Sequence, residues 1–184
     1  MVKQYGSGAE IKNEKTEIYY TEYLSSIGKM VVACNQTSLV GLWLDGQKYF
    51  RHDLLQKAEK NDEYEILQKT KDWLDRYFAG QKPELTELSM TPQGSDFQQR
   101  VWKLLCEIPY GETTTYGELA KRVAVQMGRE TMSAQAVGGA VGRNPISIII
   151  PCHRVIGADG SLTGYAGGLD KKISLLELEK RTRV

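Results

Sequence analysis

A cysteine and a histidine stand side by side in the segment Pro151-Cys152-His153-Arg154-Val155, directly after the apolar run 146–150. The β-branched residues of that run predict a buried strand or core segment. Pro151 has no N–H to donate and therefore ends any hydrogen-bond ladder there. A thiol is nucleophilic as its thiolate, which a nearby imidazole or helix N-terminus favours. The segment therefore indicates a nucleophilic cysteine placed where a rigid element stops.

Two other interpretations stay open on these residues alone. A lone cysteine is most often a small buried hydrophobe. Adjacent side chains of an extended segment point to opposite faces, so Cys152 and His153 can meet only where the backbone turns. A metal site is less favoured, because none of the three cysteines and two histidines has a C-x-x-C or H-x-x-x-H spacing. We therefore expect no metal and no cofactor.

The composition is that of an ordinary globular protein. The chain has 184 residues, of which 41% are hydrophobic and 26% charged, and its formal net charge is +1. No apolar stretch approaches the length of a membrane span, and the first thirty residues are too polar for a signal peptide. An odd number of cysteines without a spacing pattern favours a reducing compartment. We therefore expect a cytoplasmic protein with no membrane partner.

The first half of the chain has the pattern of a small sheet followed by a helix. Three apolar stretches separated by turn residues predict an antiparallel meander over residues 18–23, 30–34 and 39–44. Residues 63–79 have the periodicity of an amphipathic helix. The linker-like stretch 85–94 follows, so we expect one domain over residues 1–90 and a second over residues 91–184. The first of these carries no identifiable chemistry.

The second half is predicted to be mostly helical. Ser95 or Asp96 offers an N-cap for a helix that reaches Cys106, and a second short helix begins after Thr115. A third helix is predicted over 133–141, with Ser133 as its cap. Two short helices joined by a turn have the outline of a helix-turn-helix.

The third of these helices carries almost no side-chain bulk. We expect its small residues Ala134, Ala136, Gly138 and Ala140 to form one face. Small residues allow either close helix packing or close approach to a narrow ligand such as a DNA minor groove. Both interpretations stay open at this point.

The segment Pro151–Val155 is followed by Gly164-Tyr165-Ala166-Gly167-Gly168, with Asn144 and Pro145 upstream. At this spacing the chain closely resembles the O6-alkylguanine-DNA alkyltransferases, also called methylated-DNA–protein-cysteine methyltransferases. The resemblance extends to residues 97–102 and 41–44. It implies an α+β fold, with an N-terminal antiparallel, ribonuclease-H-like sheet and helix and a mostly helical C-terminal domain containing a winged helix-turn-helix.

The resemblance implies a DNA repair protein that reacts once. As a monomer it would bind duplex DNA containing O6-alkylguanine through the minor groove and flip the damaged base out of the stack. The alkyl group would then pass irreversibly to a cysteine thiolate, which can reach the alkyl carbon in line only after flipping. Whether O4-alkylthymine is also a substrate stays open.

Five positions match the catalytic residues of that family. Cys152 resembles the alkyl acceptor, and His153 resembles the base that draws its proton through a water. Glu179 resembles the carboxylate that orients the histidine, which completes a nucleophile–base–orienter triad. Asn144 resembles the residue that ties the recognition helix to the site. Tyr116 resembles the residue that helps rotate the target phosphate and donates to the flipped guanine.

The resemblance also assigns binding roles to eight positions, which are Ala134, Gln135, Ala136, Gly138, Arg143, Val155, Tyr165 and Ala166. Val155 would offer its carbonyl, Arg143 would contact a phosphate, and Tyr165 with Ala166 would line the guanine pocket. The spacing leaves Glu177 as a competitor for the role of Glu179, and it favours Glu179.

One position departs from the family pattern. Many relatives carry an arginine that fills the space left by the flipped base, whereas this chain has Gln135 there. We expect flipping to proceed through Gln135, which can stack and hydrogen-bond, with weaker electrostatic attraction to DNA. The segment 122–131 is predicted to be a loop longer than that of some relatives, and no role is assigned to it.

Overall fold

The computed structural model describes residues 17–182, so the outer ends of both expected domains lie outside it. The strands and helices, in chain order, are β1 (Tyr19–Ser25), β2 (Gly28–Cys34), β3 (Leu39–Leu44), α1 (His52–Leu55), β4 (Glu59–Lys60), α2 (Glu65–Phe78), α3 (Asp96–Leu105), β5 (Thr114–Thr115), α4 (Tyr116–Gln126), α5 (Ala134–Gly142), β6 (Val155–Ile156) and α6 (Leu169–Arg181). Within this range no helix is long and apolar enough to cross a membrane.

The predicted meander is confirmed, with one addition. β1 pairs antiparallel with β2, and β2 with β3, so that Tyr19 lies opposite Cys34 and Met30 opposite Leu44. β4 adds a fourth strand, parallel to β1, and the sheet order is β3-β2-β1-β4. Its two residues are exposed and polar, so no alternation of apolar and polar residues predicts a strand there.

The outer edge of β3 connects the sheet to the second half of the chain. The Leu42 N–H donates to the Pro145 carbonyl at 2.9 Å, and the Ser147 N–H donates to the Leu42 carbonyl at 2.9 Å. One hydrophobic core runs through both halves and includes Leu42 from the sheet and Ile150 from the segment before Cys152. The sheet therefore anchors the backbone that leads to the cysteine.

The apolar run 146–150 is a buried core segment and not a strand, so the second of the two predicted alternatives is confirmed. Only Ile146 forms an isolated bridge, with Leu42, and the chain then turns tightly. Ile148 has a φ of 71°, a left-handed conformation that costs a branched residue about 1–2 kcal/mol. The Asn144 side chain stabilises the turn by donating to the carbonyls of Ile146 and Ile150 at 3.3 and 2.8 Å.

α4 and α5 form the helix-turn-helix, and the predicted cap of α5 is confirmed, while Thr115 adds a cap to α4. The Thr115 hydroxyl accepts from the N–H of Glu118 at 3.1 Å, and the Ser133 hydroxyl accepts from the N–H of Ala136 at 3.3 Å. The predicted loop 122–131 is wrong in its first part, because α4 continues to Gln126. Residues Arg122–Gln126 complete a helix whose buried face includes Val123 and Ala124.

The small residues of α5 do not share one face. Ala140 is buried against α3, where its carbonyl accepts from the indole N–H of Trp102 at 2.9 Å. Ala134 and Ala136 are exposed instead. The assignment of Ala134, Ala136, Gly138 and Ala140 to a single face was wrong, because residues two apart on a helix differ by about 200° in direction. Ala140 therefore fits the helix-packing interpretation, and at Ala134 and Ala136 the interpretation as a ligand surface stays a prediction.

Candidate active site

The backbone turns at the cysteine. Residues Cys152–Arg154 form one turn of 3₁₀ helix, in which the Arg154 N–H donates to the Pro151 carbonyl at 3.0 Å. Just before it, the Cys152 N–H donates to the Ile150 carbonyl at 2.8 Å. Cys152 is 5% exposed. Burial raises the pKa of its thiol to about 11, while the Asn144 amide, the Lys172 ammonium and nearby backbone N–H groups act in the opposite direction. Thiolate formation therefore depends on those groups and on a base.

His153 is fully buried and held by one ring nitrogen. Its Nε2 lies 2.7 Å from Oε1 of Glu179, whereas Nδ1 has no hydrogen-bond partner among residues 17–182. Burial lowers the pKa of His153 below its ordinary value, so the ring is neutral near pH 7. With a carboxylate as partner, Nε2 carries the proton and donates it. Nδ1 is then left with a free lone pair, as a proton acceptor requires.

The Glu179 carboxylate is the centre of a buried hydrogen-bond network. It accepts from Nε and Nη2 of Arg154 at 2.9 Å each, from the Tyr77 hydroxyl at 2.7 Å and from the Gly111 N–H at 3.0 Å, besides His153. Burial alone would raise the pKa of Glu179, but the bonds from His153 and Arg154 hold it well below its ordinary value. The carboxylate therefore stays ionised and fixes the orientation of the imidazole.

Glu177, the competing carboxylate, lies exposed on α6 and has no part in this network. Helical spacing explains the difference. Glu179 follows Leu175 at four residues and shares its buried face, whereas Glu177 points about 200° away.

Three residues near the site were missed by sequence reasoning. Tyr77 was assigned only to the apolar face of a helix, although its hydroxyl donates to Glu179. Arg154 is 7% exposed and also donates to the Ile108 carbonyl at 2.7 Å. The Lys172 ammonium is buried and donates to the carbonyls of Val155 and Thr163 at 2.6 and 2.9 Å. The position of Arg154 directly after Cys152 and His153 could have indicated that it lies at the site. Lys172 stands near the start of a helix, and its sequence context gives no such indication.

A cavity of about 560 Å³ adjoins the site. Its lining consists of Lys48, Tyr49, Tyr116, Ala134, Gln135, Gly138, Gly139, Gly142, Thr163, Gly164, Tyr165 and Ala166. Burial raises the pKa values of Tyr116 and Tyr165, and a charge on Cys152 raises both further. Cys152 therefore lies close behind the wall that these two tyrosines form.

The structure brings most of the sequence-predicted binding residues to this cavity. The Tyr116 hydroxyl donates to the carbonyls of Thr163 and Gly164 at 3.1 and 3.3 Å. Ala136 and Arg143 are exposed outside the lining, and Val155 lies buried with its carbonyl bound by Lys172. The expectation that the first half carries no chemistry did not foresee Lys48 and Tyr49 on the cavity wall.

The three free thiols predict a loss of stability in alkaline solution. Burial raises the pKa of Cys34 to about 12 and those of Cys106 and Cys152 to about 11, from an ordinary value of 9.0. The unfolded chain therefore releases these protons first, and the thiols' contribution to stability is complete below pH 9 and lost as pH rises toward 11. Each buried thiol costs roughly 1.4 kcal/mol of unfolding free energy per pH unit in that window.

Urea unfolding of the wild type and a Cys152→Ala variant on both sides of this window checks the expectation. The variant should lose less stability than the wild type as the pH rises. Parallel pH dependences in the two proteins would contradict it.

Comparisons with known proteins cover nearly the whole described chain. Family profiles for the 6-O-methylguanine DNA methyltransferase ribonuclease-like domain and DNA binding domain match residues 18–92 and 96–181. The methylated-DNA–protein-cysteine methyltransferase of Haemophilus influenzae is 42% identical over 90% of this chain and 88% of its own length. That of Methanosarcina barkeri is 44% identical over 89% of this chain and 98% of its own length.

Solved structures agree with these sequence matches. Mycobacterium tuberculosis OGT, crystallised in complex with DNA, aligns with a TM-score of 0.77 at 42% identity, covering 89% of this chain and 94% of its own. An O6-methylguanine DNA methyltransferase from Methanococcus jannaschii aligns with a TM-score of 0.62 at 30% identity, covering 87% and 93%. Fold, sequence and the buried cysteine motif thus coincide, and the chain belongs to the methylated-DNA–protein-cysteine methyltransferase family.

Proposed function

We propose that this protein repairs DNA by transferring the alkyl group of O6-alkylguanine to Cys152, once per molecule. The observation that carries the proposal is a buried thiol next to a cavity whose walls come from the helix-turn-helix and the segment 163–166. Beside the thiol, Glu179 holds His153 in the form that accepts a proton at Nδ1. A relative crystallised in complex with DNA and relatives named methylated-DNA–protein-cysteine methyltransferase support the same assignment.

The reaction follows from these groups. His153 Nδ1 takes the Cys152 proton through a bridging water, and Glu179 stabilises the imidazolium that forms. Asn144 and Lys172 stabilise the thiolate. The sulfur then attacks the alkyl carbon, so that an S–C bond forms while the C–O6 bond breaks and its electron pair stays on guanine. The guanine anion takes a proton from the Tyr116 hydroxyl at the cavity wall. The His153 imidazolium gives up its proton in turn, so that Tyr116 and His153 both end neutral.

The reaction ends after one transfer. The product is a thioether, whose sulfur is a poor leaving group. Burial raises the pKa of the other two free thiols, Cys34 and Cys106, and neither belongs to the His153–Glu179 network that assists Cys152. The protein is therefore consumed as a reagent.

We place the DNA against α5, with the minor groove over its exposed small residues. Ala134, Gly138 and Gly139 line the cavity and let a nucleotide approach closely, and Gln135 stands beside them to occupy the space that the flipped base leaves. Arg143, exposed at the end of the same helix, is free to meet a phosphate. We further propose that one copy suffices and that the protein works in the cytoplasm.

Intact-protein mass spectrometry after incubation with duplex DNA containing O6-methylguanine tests the proposed function. We expect a gain of one methyl group and restoration of guanine in the DNA, and no gain in a Cys152→Ala variant. More than one repaired base per protein molecule would indicate a hydrolase that turns over and would contradict the proposal.

Gln135 offers a test of the flipping step. We expect Gln135→Arg to repair at least as fast as the wild type, because arginine fills the same space and adds attraction to the phosphates. Gln135→Ala should repair about tenfold more slowly, since it cannot stack on the orphan base. Single-turnover rates on a methylated duplex measure both. A large drop in the Arg variant would mean that Gln135 acts in some other way.

A further inference from the structure

Two residues of the first half form part of the cavity rim. Tyr49 is 43% exposed, with the Arg143 guanidinium 4.8 Å and the Lys48 ammonium 5.1 Å from the centre of its ring. Both distances are those of cation–π contacts. We call Lys48, Tyr49 and Arg143 the rim cluster. It joins the loop after β3 to the end of α5, and therefore the two halves of the protein, at the mouth of the cavity.

The backbone holds the cluster in an unusual conformation. Tyr49 has a φ of 66°, in the left-handed region that residues other than glycine rarely adopt. The Lys48 N–H donates to the Ala166 carbonyl at 2.9 Å, which ties the loop to the cavity segment that also holds Tyr165. Strain of this kind persists where the surroundings fix it, and it concentrates at ligand sites. An exposed aromatic side chain gains too little packing to explain it.

The electrostatics of the cluster favour an anion. No aspartate or glutamate occurs among the twelve described residues that line the cavity. The electron-rich Tyr49 ring attracts both cations, each about 5 Å from its centre, and offsets part of their mutual repulsion. Neither Lys48 nor Arg143 has an ion-pair partner among residues 17–182. Two unneutralised cations at the mouth of a cavity match a phosphodiester.

We propose that the rim cluster binds a backbone phosphate of the strand that carries the flipped nucleotide, so that the N-terminal half is part of the DNA interface. This inference rests on the proposed function and extends it. Lys48 supplies charge to the phosphate, Arg143 supplies a planar donor, and Tyr49 fixes the distance between them. The sheet thus contributes to substrate binding as well as to support of the cysteine segment.

Salt-dependent DNA binding by a Lys48→Ala variant tests the proposal. Each neutralised phosphate contributes about 0.9 to the slope of log K against log salt, so the slope should decrease by about one and the affinity by about eightfold at 0.1 M salt. The apparent second-order rate of methyl transfer at low duplex concentration should fall by about the same factor as the affinity. Lys57→Ala removes an equally exposed lysine of the same half outside the lining and should change neither quantity.

Two Tyr49 variants separate the ring from its hydroxyl. Tyr49→Phe keeps the cation–π contacts and should bind DNA as the wild type does, whereas Tyr49→Ala should weaken binding about threefold or more. An unchanged salt slope in Lys48→Ala, or a slowed reaction at saturating DNA with unchanged affinity, would overturn the proposal. Wild-type protein that takes up no methyl group would instead overturn the proposed function.

Discussion

Replacing Glu179 with glutamine should slow methyl transfer roughly 10²- to 10³-fold and lower the free energy of unfolding by about 3–5 kcal/mol. The carboxylate accepts five hydrogen bonds, and a glutamine amide replaces one accepting oxygen by a donor. The new NH₂ group would face the N–H groups of Arg154 or Gly111, which now donate to the Glu179 oxygen at that position. Two donors would then face each other. Arg154 then remains buried without a negative partner, which is the larger cost to stability.

The rate falls for a second reason. Without the carboxylate, nothing fixes the tautomer of His153, and nothing stabilises the imidazolium that forms when the thiol loses its proton. Single-turnover rates, measured under conditions where the variant is folded by circular dichroism, separate this effect from unfolding. Glu177→Gln is the matched control, because Glu177 is two residues away, exposed and outside the network. A folded Glu179→Gln variant with the wild-type rate would contradict the triad.

Two variants of Asn144 should show whether its side chain acts on the backbone turn or on the charge of Cys152. Asn144→Ala removes the side-chain hydrogen bonds that stabilise the turn before Cys152, and the carbonyls of Ile146 and Ile150 lose this donor. We expect it to cost about 2–4 kcal/mol of unfolding free energy and about tenfold in rate. Asn144→Asp keeps the shape and the acceptor for the Ile146 N–H, which lies 3.0 Å away.

The aspartate variant should nevertheless react more slowly than the alanine variant. Its carboxylate would place a negative charge where the amide now lowers the pKa of the Cys152 thiol. The dependence of the transfer rate on pH measures this effect, and the Asp variant should need a higher pH to reach half of its maximal rate. Equal profiles in the two variants would mean that Asn144 acts only on the backbone.

The elements of the fold could be predicted where periodicity and caps agree. The three strands of the meander and the capped helices α4 and α5 lie close to their predicted positions, because burial on one face decides them locally. The burial of the run 146–150 could be predicted but its tight turn could not, because its β-branched residues favour a strand and a left-handed Ile148 is rare. In this run, hydrogen bonds from the Asn144 side chain and to the edge of β3 outweigh the local preference for a strand.

Only the site residues that match the family motif could be predicted from the sequence. The contacts of Cys152, His153 and Glu179 follow a resemblance in the sequence, since 26 residues separate His153 from Glu179 and no local rule connects them. Lys172 and Tyr77 look like an ordinary surface charge and an ordinary core aromatic residue. Their buried polar contacts depend on how α2 and α6 pack, which is a property of the tertiary structure. The positions of Lys48 and Tyr49 on the cavity wall could not be predicted for the same reason, because they depend on the tertiary structure.

The acceptor itself can be located directly. Duplex DNA bearing an isotopically labelled O6-methyl group should be incubated with the wild-type protein, which is then digested and mapped by mass spectrometry. We expect one labelled methyl per protein molecule, on the sulfur of Cys152, with Cys34 and Cys106 unlabelled. Label on either of the other cysteines, or repaired DNA with no label on the protein, would contradict it.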